Sequence, residues 1–176
     1  VQVRHRTVIN LIQGVHPRLN ISRADVWTVF HSYSFDLSVW EIWSPLVSGG
    51  KLVVVPYQVT QDSQAFHQLL HQQQVTILNQ TPSFMRQLMQ LDNFDDKGVP
   101  GSLRQIICGG EALPQELAEQ LLERGFSVWN FYGPTEATVW TTVKEVKRAA
   151  SPKGIVSIGA PIANAGSIDT GTSYVV

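Results

Sequence analysis

The sequence predicts an α/β fold, a mostly parallel sheet with helices on both faces, and three observations carry that prediction. Short β-branched and aromatic runs recur at 26–30 (VWTVF), 52–55 (LVVV), 75–78 (VTIL), 105–108 (QIIC) and 127–131 (SVWNF). Their starts lie about 22 to 30 residues apart, too far for hairpins and enough for crossover units. Helical patterns fill the intervals, and the runs are nearly all apolar rather than alternating, as strands buried on both sides require.

The elements follow in order. "VRHRTVINLI" reads as a helix already under way near Val1. The 26–30 strand leads to a helix over 39–47, with Asp36 or Ser38 as a candidate N-cap. After the 52–55 strand, 65–74 places Phe66, Leu69 and Leu70 at i, i+3 and i+4. The 75–78 strand precedes an amphipathic helix over 83–91, with Thr81 before Pro82 as its start. The 105–108 strand precedes a helix over 113–124, with Pro114 in its first turn and Gly125 just past its end.

Composition narrows the function classes. The 176 residues are 43% hydrophobic and 15% charged, ordinary for a globular protein. A formal net charge of −1 gives no electrostatic case for nucleic acid or an anionic membrane. No run approaches the roughly 18 apolar residues of a membrane helix, and the start lacks a basic-then-apolar signal pattern. Cys108 stands alone, so no disulfide framework is implied and a cytoplasmic setting is the default expectation. Val1 and the apolar Tyr174-Val175-Val176 read as cut ends, so a piece of a longer protein is expected. Residues 1–164 then form the core, 165–173 (AGSIDTGTS) a connector or junction, and 174–176 a strand-like tail.

Parallel sheets of this kind bind ligands outside the carboxyl ends of their strands, which directs attention to the polar residues there. After the first strand, Asp36 either caps the next helix or stands at the crevice lip to pair with a ligand's ammonium. After the third, Asn79 lies at the strand edge while Thr81 reads as a cap. After the fourth, Gly109 and Gly110 permit close approach of a ligand, and Glu111 serves either a helix dipole or a ligand. After the fifth comes "NFYGPTEATVW". Asn130 and Tyr132 straddle Phe131, so in a strand they share a face. Tyr132 can stack on a flat heterocycle and Asn130 offers amide donors and an acceptor. Thr135 and Glu136 suit a phosphate oxygen and a hard cation such as Mg²⁺.

"FYGPTE" after a strand, with "FDLSVWEIW" about 95 residues earlier, resembles the adenylation domain of nonribosomal peptide synthetases, within the AMP-forming adenylate synthetase superfamily. "HRTVINLI", "LNQTPSFMRQL" and "IICGGEAL" extend the resemblance, in the family's order, over about residues 4 to 164. The resemblance implies a flavodoxin-like subdomain, and a reaction of amino acid with ATP to aminoacyl-AMP and pyrophosphate. Transfer to the phosphopantetheine of a peptidyl carrier domain follows. It implies that Asp36 pairs with the α-ammonium, Asn130 and Tyr132 contact adenine, Gly109 and Gly110 lie against it, Thr135 meets phosphate and Glu136 holds Mg²⁺. The side-chain pocket would be lined by Asp36, Leu37, Trp40, Asn79, Ile107, Gly109, Phe131, Val139 and Trp140. Three bulky rings and one amide favour a small substrate, threonine first, then cysteine or serine, then glycine.

The family's phosphate loop, its ribose-binding segment and its small lobe with a catalytic lysine are not among the 176 residues. The resemblance thus implies no complete catalytic set here and a piece inactive without the remaining adenylation subdomains. Two other readings stand beside it: a non-catalytic binding or structural module, and an acyl- or aryl-activating ligase, which a carboxylate at Asp36 disfavours.

Overall fold

The computed structural model describes residues 1–91, 101–149 and 153–163. The five expected strands are β1 (Val26–Val29), β2 (Lys51–Val54), β3 (Ile77–Gln80), β4 (Gln105–Gly109) and β5 (Ser127–Tyr132). β1 pairs with β2, and β3, β4 and β5 pair in sequence, all in parallel. The two ladders meet where Thr76 N–H donates to the Val26 carbonyl and Val26 N–H donates to Thr76 Oγ1, each at 2.9 Å. The spatial order is therefore β2-β1-β3-β4-β5, a doubly wound order whose winding reverses between β1 and β3.

Helices cover both faces. α1 (His5–Leu19) and α2 (Leu37–Ser48) lie on one; α4 (Ser63–Gln73), α5 (Pro82–Met89) and α6 (Gln115–Glu123) lie on the other, with the short α3 (Tyr57–Thr60) after β2. The period-2 alternation of each strand feeds two cores. Leu78, Ile106, Cys108 and Val128 pack with Phe66, Leu70, Met85, Leu88, Leu117 and Leu121. Ile77, Ile107, Trp129 and Phe131 pack with Leu11, Val15 and Leu19 of α1 and Trp40 of α2. Among the described residues no helix is long and apolar enough to cross a membrane. Burial in β4 pushes the Cys108 thiol up to about 12, so it is a packing residue rather than a nucleophile.

Several boundaries differ from the sequence reading, each for a local reason. β3 begins two residues later than 75–78, because Thr76 is engaged by Val26 and its carbonyl accepts from Arg104 and Gln105. Asn79 consequently lies inside the strand instead of at its edge. β1 stops at Val29 because the Phe30 N–H donates to Glu41 and not to a neighbouring strand. α1 begins at His5, after an extended Arg4, and Pro114 sits at the N-cap of α6 with extended backbone instead of in its first turn. β2 is an edge strand with Val54 73% exposed, so burial on both sides holds for β3 and β4 but not for β2. Two antiparallel strands, β6 (Thr142–Glu145) and β7 (Ala160–Pro161), extend the sheet beyond β5 and were not foreseen. The connector at 165–173 and the tail at 174–176 lie outside the described residues.

Asp25 ties the amino ends of the strands together. It accepts from the Ser22 N–H, the Thr76 hydroxyl and the Arg104 guanidinium, the last at 2.9 Å on Oδ2. Burial pushes its carboxyl up, but the Arg104, Ser22 and Thr76 donors outweigh that and hold it below its ordinary value.

His16 of α1 bridges to α2, with Nε2 2.7 Å from Ser44 Oγ and its ring edge-on to Trp40. Burial lowers its pKa from 6.5 to about 4, so the folded protein keeps the ring neutral where the unfolded chain protonates it. The unfolded state then binds more protons, so this contribution is present above about 6.5 and lost as pH falls toward about 4. The urea midpoint should drop between pH about 7 and about 4.5 more steeply for the native chain than for His16→Gln.

Candidate functional site

The carboxyl ends of β1, β3, β4 and β5 converge on one side of the sheet, and the chain leaving each end supplies polar groups. Beyond β1 the backbone turns through Ser32 to Asp36 into α2. Asp36 occupies the N-cap position, but its backbone is helical and its side chain bonds no N–H of the helix. Ser38 is no cap either, since its hydroxyl donates to the Phe35 carbonyl. The half-buried Asp36 carboxylate instead accepts from Thr135 Oγ1, at 2.7 Å across the crevice. Two residues that the resemblance assigns to a ligand's ammonium and phosphate thus stand within one hydrogen bond of each other, 99 positions apart in the chain.

Thr135 and Glu136 lie in a 3₁₀ turn, Thr135–Ala137, that follows the Gly133-Pro134 corner. A Cβ on Gly133 would come within 2.6 Å of the Trp140 Cα, because the chain doubles back there into β6. Thr138 and Val139 on this return have φ of 68° and 69°, and Trp140 N–H donates to the Thr138 carbonyl at 2.8 Å. That is a three-residue turn centred on a β-branched residue at positive φ, a strained conformation of the kind retained where the surroundings over-determine it.

The turn drives Trp140 into the aromatic core. Its ring centroid lies 5.6 Å from that of Phe131, which lies 5.8 Å from Trp40, which in turn lies 5.8 Å from Trp27. Ile107, Val139 and the partly buried Leu37 complete the group. The structure therefore brings together Leu37, Trp40, Ile107, Phe131, Val139 and Trp140 in one packed cluster, with Gly109 beside it. A Cβ at Gly109 would stand 2.3 Å from the Trp140 ring, so glycine is what lets that ring lie against β4. Gly109→Ala should cost about 1–3 kcal/mol of stability through overpacking. Chemical denaturation and the tryptophan near-UV circular dichroism would report it.

A groove of about 300 Å³ lies beside this cluster, lined by Gly110, Glu111, Ala112, Asn130, Phe131, Tyr132, Gly133, Ile155, Val156 and Ile158. Its volume is at the low end for small-molecule sites. Asn130, Tyr132 and Gly110 meet here as the sequence predicts. Asn130 is more constrained than expected: its amide NH₂ donates to the carbonyls of Val156 and Ser157 at 3.2 and 3.1 Å. Only its Oδ1 acceptor remains for a ligand. Glu111 serves a helix dipole, though that of α5 and not of α6, accepting from the N–H and hydroxyl of Ser83. Thr81 caps α5 as expected, accepting from the Phe84 N–H.

Glu136 is exposed, and no described residue bonds to its carboxylate. No cluster of three or more His, Cys, Asp or Glu able to hold a metal occurs among the described residues. A single open carboxylate does fit Mg²⁺, which is held by one or two carboxylates together with substrate phosphates rather than by an all-protein cage.

Sequence reasoning missed Glu41 and His31. Glu41 is fully buried in α2 and accepts from the N–H groups of Phe30 and His31, from His31 Nδ1 and from Asn79 Nδ2. The available signal was a carboxylate inside the apolar "VWEIW", which on a packed helix demands partners. The Val156–Ser157 carbonyls that hold Asn130 carried no signal at all.

The family model for the AMP-binding enzyme matches residues 1–167. Syringomycin synthase SyrB1 of Pseudomonas syringae pv. syringae is 40% identical over 167 residues, covering 92% of this chain and 27% of that protein. A dimodular nonribosomal peptide synthase of Bacillus subtilis is 41% identical over 169 residues, covering 92% of this chain and 7% of that protein. Among solved structures, the Vibrio cholerae adenylation domain AlmE in complex with glycyl-adenosine-5'-phosphate superposes with a TM-score of 0.80 at 29% identity, covering 90% of this chain and 30% of that one. The chain thus spans less than a third of the length of these relatives. A parallel sheet with its polar groups gathered at the strand ends, a family match along nearly its whole length and synthetase relatives at about 40% identity lead to one conclusion: the chain belongs to the AMP-binding enzyme family, with the adenylation domains of nonribosomal peptide synthetases.

Proposed function

We propose that this chain supplies the amino-acid pocket and part of the ATP site of an adenylation domain that converts an amino acid and ATP to aminoacyl-AMP and pyrophosphate. The product is then loaded onto the phosphopantetheine of a peptidyl carrier domain. The observation that carries the reading is the Asp36–Thr135 hydrogen bond, which sets a carboxylate suited to an ammonium beside a hydroxyl suited to a phosphate. An aminoacyl-adenylate needs both within a few ångströms, because its amino group and its phosphate flank one carbonyl carbon.

In this reading Asp36 pairs with the α-ammonium, and the substrate displaces or joins the Thr135 hydroxyl there. Thr135 then turns to a phosphate oxygen. Tyr132 stacks on the adenine, Asn130 accepts from its amino group through Oδ1, and Gly110 lets the ring approach the end of β4, while Gly109, expected there too, seats the Trp140 ring. Glu136 would hold Mg²⁺, whose chemistry is to neutralise phosphoryl oxygens. Leu37, Trp40, Asn79, Ile107, Phe131, Val139 and Trp140 bound the side chain, with three large rings leaving room for a small one, threonine first. These residues bind and orient; positioning and electrostatic stabilisation dominate such transfers, and the groups that complete them belong to the remaining adenylation subdomains.

Amino-acid-dependent exchange of pyrophosphate into ATP, with this segment placed in a complete adenylation enzyme, tests the reading. Exchange with one or a few small amino acids is expected. Exchange with none, while the parent enzyme is active, would favour a non-catalytic module; activation of acids lacking an amino group would favour an acyl- or aryl-activating ligase.

A further inference from the structure

In the reading above, the loop joining β5 to β6 serves both ends of the adenylate, with Thr135 and Glu136 at the phosphate and Val139 and Trp140 at the side chain. Its base is closed by Thr141 N–H, which donates to the Tyr132 carbonyl at 2.8 Å. Between the two ends stands Thr138, to which that reading gives no part. Each of its polar groups is engaged. Its N–H donates to the Thr135 carbonyl at 3.1 Å, and its carbonyl accepts from the Trp140 N–H at 2.8 Å. Its hydroxyl donates to Thr7 Oγ1 at 3.0 Å.

Thr7 lies in the first turn of α1, 131 positions away in the chain. Its own hydroxyl donates to the Arg4 carbonyl at 2.8 Å, which leaves its oxygen to accept, so the two hydroxyls form a directed pair. The bond matters because of the backbone it holds. Thr138 and Val139 are consecutive β-branched residues with φ of 68° and 69°, a region that branched side chains avoid. Core packing holds Val139, which is 3% exposed. Thr138 is held by its hydroxyl, whose partner sits on a helix anchored in the core through Leu11, Val15 and Leu19. What the turn sets is the place of Trp140, whose ring lies against Gly109 and 5.6 Å from Phe131.

We propose that Thr138 is a positioning residue: its bond to Thr7 latches the β5–β6 loop to α1, holds the turn that seats Trp140, and so fixes how large a side chain the pocket admits. The inference rests on the amino-acid-activating reading above and adds to it two residues that act through Trp140 rather than on the substrate. Without the latch, the turn relaxes toward the ordinary φ of branched residues and releases the indole from Gly109. The pocket then admits larger side chains, while the adenine contacts of Asn130 and Tyr132 stand.

Valine keeps the shape of threonine and drops the hydroxyl. The measured quantity is the ratio of kcat/KM for the best small amino acid over that for leucine, in pyrophosphate exchange by a complete adenylation enzyme carrying this segment. Thr138→Val should lower it about three- to tenfold, the worth of one hydrogen bond, with the KM for ATP near its native value. Thr7→Val removes the same bond from the α1 side and should lower the ratio equally. The double variant should go no lower, because the two side chains share one interaction. Thr138→Ser keeps the hydroxyl and should keep the native ratio. A purely structural role would depress both amino acids alike and leave the ratio standing in every variant. That outcome, or a ratio that falls in Thr138→Val but not in Thr7→Val, or equal loss in Thr138→Ser and Thr138→Val, overturns the proposal. Thr7→Val decides the matter alone if Thr138→Val fails to fold. Exchange with no amino acid by the unsubstituted segment is distinguishable from all of these, and removes the underlying reading together with the proposal.

Discussion

Asp36→Ala should reduce amino-acid-dependent adenylation by about 30- to 1,000-fold while leaving the fold nearly as stable as before. In the proposed reading, the first half follows from removing the carboxylate that pairs with the substrate's ammonium. Loss of a partly desolvated charge pair costs about 2–4 kcal/mol, and every 1.4 kcal/mol is a factor of ten. The second half follows from what Asp36 does not do in the folded chain. It caps no N–H of α2, and its one hydrogen-bond partner, the Thr135 hydroxyl, is exposed and turns to water when the carboxylate is gone. A change of about 0.5 kcal/mol in unfolding free energy is expected, typical of such positions. Steady-state exchange kinetics and urea unfolding on the same variant separate the two halves. A variant that loses stability and activity together would make Asp36 a structural residue.

Trp40→Ala carries the largest expected effect on stability. The indole is 1% exposed and stands at the centre of the aromatic core, edge-on to His16 and Trp27 and tilted on Phe131. Replacing a buried tryptophan with alanine costs about 3–5 kcal/mol, from lost transfer energy and the cavity left behind. For a chain of this size that is a fall in Tm of roughly 6–20 °C. The damage should spread, because Trp40 links α1, through His16, to β5, through Phe131. Calorimetric unfolding checks it, and a fall in Tm of under about 3 °C would mean that the ring is not a core member.

Much of this was legible in the sequence, for physical reasons that can be named. β3 and β4 declared themselves because burial on both faces leaves no alternation to disguise them, as in "QIIC". The helix start at Thr81 and the placement of Asn130 and Tyr132 on one face followed from capping chemistry and strand period. What stayed hidden is mostly long-range. Whether Asp36 caps α2 or crosses to Thr135 depends on a loop 99 residues away. The donors of Asn130 are taken by carbonyls in a segment with no motif. The Glu41 network depends on Phe30 leaving its strand, which local propensity opposes. β6 and β7 escaped because "TVKE" is half polar and "AP" is too short to read.

In the proposed reading, one crevice, opened by the ends of β1, β3, β4 and β5, holds both halves of an aminoacyl-adenylate. Calorimetric titration of a non-hydrolysable threonyl-adenylate analogue into a complete adenylation enzyme carrying this segment tests it most directly, with Asp36→Ala and Tyr132→Ala alongside. One site is expected, weakened by each substitution, with free adenosine nucleotide sensitive to Tyr132→Ala but not to Asp36→Ala. Binding that is indifferent to both substitutions would contradict it.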